Sequence, residues 1–294
     1  MVESATHNYK YEIVTPDSNI PGKVELYEKP APQCFTNKHW HKSIEMIYVL
    51  KGTLWVLDNG LDRDISDGEY VVINSEGIHQ TCGKYPDKTV KYLVVQFSYG
   101  NIRNYFPAVD EYSFDVNKSE QAKIRIGELL KAIAVDTENA SEFCDLKISC
   151  AMLQILTLLF VRCREKRPEQ PQQSRGIDFE YARKAIAFIR ENYKNKITLE
   201  DIASYVGLTP TYFSRYFKQT TRKNFKQYLG LVRLENTLND MQTKGIGETK
   251  ASLDNGFASV KAFIETFKSV YKCTPSEYAK IHHEMPSISE IRRI

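Results

Sequence analysis

Between Tyr9 and about Phe97 the apolar residues come in short runs cut by turn residues: IEMIYVLKG, TLWVLDNG, DGEYVVIN and VKYLVVQF. Runs rich in Val, Ile and Tyr at this spacing predict the strands of an antiparallel sandwich or barrel. After Tyr112 the period changes. KIRIGELLKAIAV and LKISCAMLQILTLLFVRC repeat apolar residues at three and four, with Ile148, Met152, Ile155 and Leu159 on one stripe, and predict two helices. From Lys166 the chain turns polar and proline-containing, as a linker does, and then becomes helical to the end. The helical part echoes itself: Phe213, Phe217, Phe225 and Tyr228 recur as Phe263, Phe267, Pro275 and Tyr278, each displaced by 50. A duplicated helical unit is the expected source of that echo. These breaks predict a strand-rich domain at 1–112, a helical packing or dimerisation segment at 113–167, a linker at 168–176 and a helical domain at 177–285.

Composition adds little except through its distribution. With 42% hydrophobic and 26% charged residues in 294, this is an ordinary soluble chain long enough for two cores. The start, MVESATHNYKYEIV, has no basic stretch followed by an apolar run, so a cytoplasmic location is expected. The longest apolar-rich run, Ile148 to Cys163, has 16 residues, short of the roughly 20 of a membrane helix, and no membrane partner is expected. The six cysteines are scattered and read as reduced thiols, mostly buried. Charge is uneven. Residues 177–294 hold 19 Lys and Arg against 13 Asp and Glu, net +6, while residues 1–176 hold 21 against 24, net −3. The basic half is the one suited to a polyanion.

Within that half, TLEDIASYVGLTPTYFSRYFKQ has the grammar of a helix-turn-helix. Thr198 can cap a short helix with Asp201 three residues on, Gly207 permits a tight turn, and Thr209-Pro210 supplies the N-cap and first position of a second helix. Phe213 and Phe217 form the inner stripe of that helix, leaving Thr211, Ser214, Arg215 and Lys218 outside. An outer stripe of this kind suits the major groove, where Arg can read guanine and Lys can hold phosphate. The echo repeats the plan with Gly256 in the turn, Ser259 as the cap, and Val260, Lys261, Ile264, Glu265 and Lys268 on the outer stripe. The two units span 198–218 and 246–269.

The residues I202-A203-x3-G207, Y212-F213-S214-R215-x-F217-K218, Y228-L229-x3-R233-L234, G256-F257-x5-F263-x3-F267-K268 and T274-P275-x2-Y278 resemble the AraC-type transcription regulators. The resemblance implies two helix-turn-helix units that bind double-stranded DNA, a cupin-like N-terminal domain that holds a small-molecule effector, and subunits paired through helices beside it. Departures fall on the second unit. Glu265 stands where the first unit has Arg215, and Ala251-Ser252 replaces the family's Ile-Ala pair, which should thin that core. Arg222 and Lys272 stand where the pattern prefers Gly, and would be strained if left-handed.

The N-terminal half carries HWHKSIE. In one extended strand His39, His41 and Glu45 would project to the same side. The pattern H39-x-H41-x3-E45-x6-G52, followed by Gly68 and His79, is similar to the two metal motifs of the cupin barrel, with Asn74 and Glu76 at its Pro and second Gly positions. Three readings stay open: a divalent Zn, Mn or Fe site on His39, His41, Glu45 and His79, direct effector contacts by the same four, or structural histidines. No catalytic constellation is found elsewhere and no cofactor is required.

The fold expected is therefore two-domain α+β, a cupin-like antiparallel β-barrel with flanking helices and an all-α domain of two helix-turn-helix units. The function expected is an effector-responsive, sequence-specific transcription regulator rather than an enzyme, an activator of a nutrient operon with a sugar as the expected effector. Its expected partners are DNA, RNA polymerase and a second copy of itself. The alternatives are a metal-dependent cupin enzyme fused to a DNA-binding domain, and a metal or redox sensor.

Overall fold

The computed structural model describes residues 10–12, 14, 20–86, 88–140, 142–167 and 176–282. The linker expected at 168–176 lies outside them but for Gly176, as do residues 1–9 and 283–285 of the expected domains. The described residues fall into two units, those from 12 to 167 in one and those from 176 to 282, with the short strand β1 (Lys10–Tyr11), in the other.

The first unit is layered. Strands β2 (Gly22–Pro30), β10 (Thr89–Phe97), β5 (Ile44–Lys51) and β8 (Tyr70–Ile73) form one antiparallel sheet in that order. Strands β4 (His39–Trp40), β9 (His79–Gly83), β6 (Thr53–Asp58) and β7 (Leu61–Ser66) form a second, with β3 (Gln33–Cys34) also paired to β9. Ile47, Val49 and Tyr92 meet Leu54, Val56 and Ile65 between the two sheets. The alternate residues Met46, Leu93, Val95 and Phe97 pack instead on Ile126 and Leu130 of α2 (Glu120–Asn139) and on Met152 and Ile155 of α3 (Cys144–Leu158). Buried on both faces, β5 and β10 read as continuous apolar runs, where a half-exposed strand would alternate.

Three expectations are corrected here. The sheets do not close into a barrel: β7 and β8 end their respective sheets, and the turn through Gly68, at φ 81°, carries the chain from one to the other. The apolar run at 148–163 is part of a longer helix, because α3 continues through a π-helical turn, Leu159–Cys163, to make 20 residues. That helix is long and apolar enough to cross a membrane, but Ile148, Met152, Ile155 and Leu159 are spent on the core and Leu146, Leu153 and Val161 remain exposed. Finally, Cys34 and Cys82 are directly opposite across the β3–β9 pair and are disulfide-bonded. Of the four free cysteines only Cys163 is buried. The segment 113–167 also holds more than helices. Its ends pair as β11 (Tyr112–Phe114) and β12 (Arg164–Lys166), preceded by the short helix α1 (Tyr99–Tyr105).

In the second unit α4 (Gly176–Asn192) precedes two helix pairs, α5 (Leu199–Val206) with α6 (Pro210–Thr221) and α8 (Glu248–Asp254) with α9 (Val260–Tyr271). The long α7 (Phe225–Lys244) lies between the pairs in sequence and α10 (Pro275–His282) follows. Thr198 and Asp201 form the expected reciprocal capping box, and Thr209 and Ser259 cap α6 and α9. Phe213, Phe217, Phe263 and Phe267 are fully buried. Gly256 is required twice over: its φ is 86°, and a Cβ there would lie 2.6 Å from the Tyr193 carbonyl oxygen. Ser252 is fully buried, its hydroxyl donating to the Thr249 carbonyl, while Asn255 donates to Asp240 and to the Ala251 carbonyl. The second pair thus uses buried polar contacts around the position where the family pattern has an apolar one.

Arg222 and Lys272 end α6 and α9 in the left-handed region, at φ 57° and 62°. A side chain there costs about 1–2 kcal/mol that glycine avoids, offset by the greater chain entropy glycine loses on folding. Arg222→Gly and Lys272→Gly are each expected to raise unfolding free energy by about 0.5–1 kcal/mol in urea titration; an unchanged or lowered midpoint would refute the strain.

Candidate effector pocket and nucleic-acid interface

The four cluster residues come together by a route other than the one their spacing suggested. His39 lies on β4 and Glu45 on β5, strands of different sheets, and the chain bends between them at His41–Ser43. His79 enters on β9 directly opposite His39. Candidate ligand atoms of His39, His41, Glu45 and His79 all lie within 4.8 Å of one another. His41 Nε2 is 2.9 Å from Glu45 Oε2, and His79 Nε2 is 3.6 Å from Glu45 Oε1. The Gln96 amide donates to Glu45 Oε2 at 2.7 Å. His39, nearest the opening, has its Nε2 3.2 Å from Glu12.

Each imidazole is fixed from behind. The Nδ1 atoms of His39, His41 and His79 lie 2.8, 2.9 and 2.9 Å from the carbonyl oxygens of Asn37, Ser43 and Gly77. The turn Asn74–Gly77 supports two of them, since the Glu76 amide also donates to the His41 carbonyl. Glu76 itself is left-handed, φ 67°, at the place where the cupin pattern has glycine, and its carboxylate is held 2.7 Å from Lys42 Nζ. Arg167, the last described residue before the linker, donates to the Ser75 carbonyl in the same turn. Burial opposes the charge of Lys42, but Glu76 and Asp110 outweigh it and push its pKa up.

Burial likewise opposes ionisation of Glu45, yet the His79 and His41 imidazoles outweigh it and hold the carboxyl well below the ordinary carboxylate range. The opening beside the cluster has an aromatic wall that sequence spacing did not find. Tyr27, Phe35 and Tyr92 form it, with the Phe35 and Tyr92 rings stacked at 5.6 Å and Lys29 Nζ 4.4 Å over the Tyr27 ring. Burial first, and a hydrogen bond to Glu25 second, push the Tyr27 hydroxyl up, so it stays a neutral donor. Tyr92 is on β10, which pairs with β5, Tyr27 is on β2, which pairs with β10, and Phe35 directly follows β3, so sheet register rather than local periodicity brings them together.

On the helical unit, Thr211, Ser214, Arg215 and Lys218 are exposed along α6, opposite the buried Phe213 and Phe217. The Arg215 guanidinium lies 5.6 Å over the exposed Tyr212 ring, which steadies it without covering it. On α9, Lys261, Glu265 and Lys268 are exposed, while Val260 and Ile264 are half-buried and Ile264 packs partly on the second core. Arg222, Lys223, Lys226 and Lys272, also exposed, extend the basic surface around the ends of α6 and α9. Spacing had not singled them out for contact because they follow the outer stripes.

The model of the AraC-like ligand binding domain matches residues 21–156, and that of a helix-turn-helix domain matches residues 202–281. The chain belongs to the AraC-type transcription regulators. Relatives of this AraC-type regulator include an uncharacterized HTH-type transcriptional regulator, YdeC, of Bacillus subtilis, 24% identical over 83% of this chain and 86% of the relative. The melibiose operon regulatory protein of Escherichia coli is 22% identical over 86% and 87%. Among solved structures ToxT of Vibrio cholerae is 15% identical over 88% of this chain and 98% of its own, with a TM-score of 0.35. The regulator therefore has a DNA-binding domain and a ligand-binding domain, and its relatives are regulators rather than enzymes.

Proposed function

We propose that this AraC-type regulator is a cytoplasmic homodimer that activates a sugar-utilisation operon by recruiting RNA polymerase, and that its effector occupies the opening beside His39, His41, Glu45 and His79. One observation carries the reading: a buried His/Glu cluster with an aromatic wall lies in the same chain as two helices that expose polar and basic faces. An aromatic wall facing amide and carboxylate groups suits a ligand with an apolar ring face and hydroxyl edges, and the melibiose regulator's resemblance supports a sugar. The exposed Leu146, Leu153 and Val161 on the outer side of α3 support pairing of subunits there. Thr211, Ser214, Arg215 and Lys218 of α6, with Val260, Lys261, Ile264, Glu265 and Lys268 of α9, are the proposed DNA contacts.

Two measurements test it. Selection from random duplexes should enrich a site with two contact patches a helical turn apart; failure to enrich any sequence refutes the proposed DNA contacts. A thermal-shift screen should find a sugar that raises the melting temperature, since a ligand at about 100 times its Kd adds about 2.7 kcal/mol to the native state. If only non-sugar ligands shift it, the sugar assignment falls.

A further inference from the structure

We infer that His39, His41, Glu45 and His79 hold a divalent first-row transition metal ion, and that the effector binds beside it; this rests on the proposal that the opening is the effector pocket. Three facts meet. A backbone carbonyl can only accept, so each Nδ1 that faces one carries the hydrogen and each Nε2 presents a lone pair. Two of those lone pairs, on His41 and His79, face the Glu45 carboxylate, which also only accepts, while that of His39 faces Glu12, with candidate ligand atoms of all four cluster residues within 4.8 Å of one another. Acceptors therefore face acceptors: His41 Nε2 at 2.9 Å from Glu45 and His79 Nε2 at 3.6 Å.

A positive charge has to sit among them. Protons are one source, but a proton on His41 serves a single contact and leaves the rest. His79 Nε2 is completely buried and has no hydrogen-bond partner among the described residues, although it lies 3.6 Å from Glu45 within the cluster. A buried nitrogen without a partner is costly in a protein interior, and a metal ion satisfies it together with the other three donors. Imidazole and carboxylate donors of this number suit Zn²⁺, Mn²⁺ or Fe²⁺.

The surroundings fit as well. Carbonyls behind each ring set its tautomer and orientation, the support that metal-binding histidines use, and the Gln96 amide does the same for Glu45. His41, Glu45 and His79 are 1%, 4% and 0% exposed, while His39 faces the opening next to Glu12. The buried three form the floor. His39 is thus the ligand on the effector's side, and a hydroxyl or carboxylate oxygen of the effector is the chemical class able to add to the ion there.

Chelator-stripped protein titrated with Zn²⁺ and with Mn²⁺ by calorimetry should bind one ion per chain. His79→Asn, whose amide can still donate to the Gly77 carbonyl, and Glu45→Gln should each weaken binding by at least about 100-fold. Co²⁺ loading of the wild type, which needs no variant to fold, should give a visible absorption band that Zn²⁺ removes. No stoichiometric ion, or unchanged affinity in both variants, overturns the metal site. An effector that shifts chelated and metal-loaded protein equally overturns the metal's part in effector binding and leaves the pocket standing. One ion per chain lost in both variants, with no small molecule or ion altering DNA binding, supports the site and refutes the effector reading instead.

Discussion

Raising the salt from 50 to 200 mM should weaken binding of this regulator to duplex DNA by about a thousandfold per subunit. The outer surfaces of the two helix pairs, with the start of α7, expose Lys218, Arg222, Lys226, Lys261, Lys268 and Lys272. Each phosphate neutralised releases condensed counterions, so log K falls by about 0.9 for each unit of log salt and each contact. With about six contacts the slope is about −5, and a fourfold rise in salt then costs about three decades. Filter binding on a random duplex and on a selected site should give similar slopes, because phosphate contacts carry no sequence information. A curve flat over this range would contradict the assignment of both outer faces.

Replacing Arg215 by alanine should cost about 1–3 kcal/mol on the selected site, roughly 5- to 150-fold, and relax preference at one base pair. Arg215 is exposed on the outer stripe of α6 and can give two parallel hydrogen bonds to a guanine edge. Its counterpart Glu265 on α9 cannot; it can accept from a cytosine amine, and near phosphate it is repelled. The second unit is left with Lys261 and Lys268 for the backbone and with Val260 and a partly packed Ile264 for thymine methyl groups. Tandem recognition helices enter successive major grooves, about 34 Å apart, so the loss should map to one patch of the site. Lys261→Ala should instead weaken selected and random DNA alike. The reverse pattern, with Lys261 setting specificity and Arg215 affecting all sequences equally, would refute unequal readout.

The helical unit was legible because its determinants are local. The caps at Thr198, Thr209 and Ser259 act three residues away, and the stripes of Phe213 with Phe217 and Phe263 with Phe267 repeat at four. The cluster was legible in membership and not in mechanism. The spacing of His39, His41 and Glu45 suits one strand, whereas His39 and Glu45 come from two sheets with His41 at the bend between them, and His79 joins through a pairing of residues forty apart. What the sequence hid depends on register. Gln96 reaches Glu45 because the two are paired across β5 and β10, and Tyr27 and Tyr92 are paired across β2 and β10. Two-residue strands such as β3 leave no periodic trace at all, so the pairing of Cys34 with Cys82 was invisible. The same holds for the open edges at β7 and β8, since alternation along a strand says nothing about whether its sheet closes.

The Cys34–Cys82 bond makes the chain between them a ring, and His39, His41, Glu45 and His79 all lie on that ring. Topologically the cluster belongs to a closed curve. A single cut by a protease between His39 and His79 opens the ring without parting its members, and the four side chains stay on one molecule until a reductant is added.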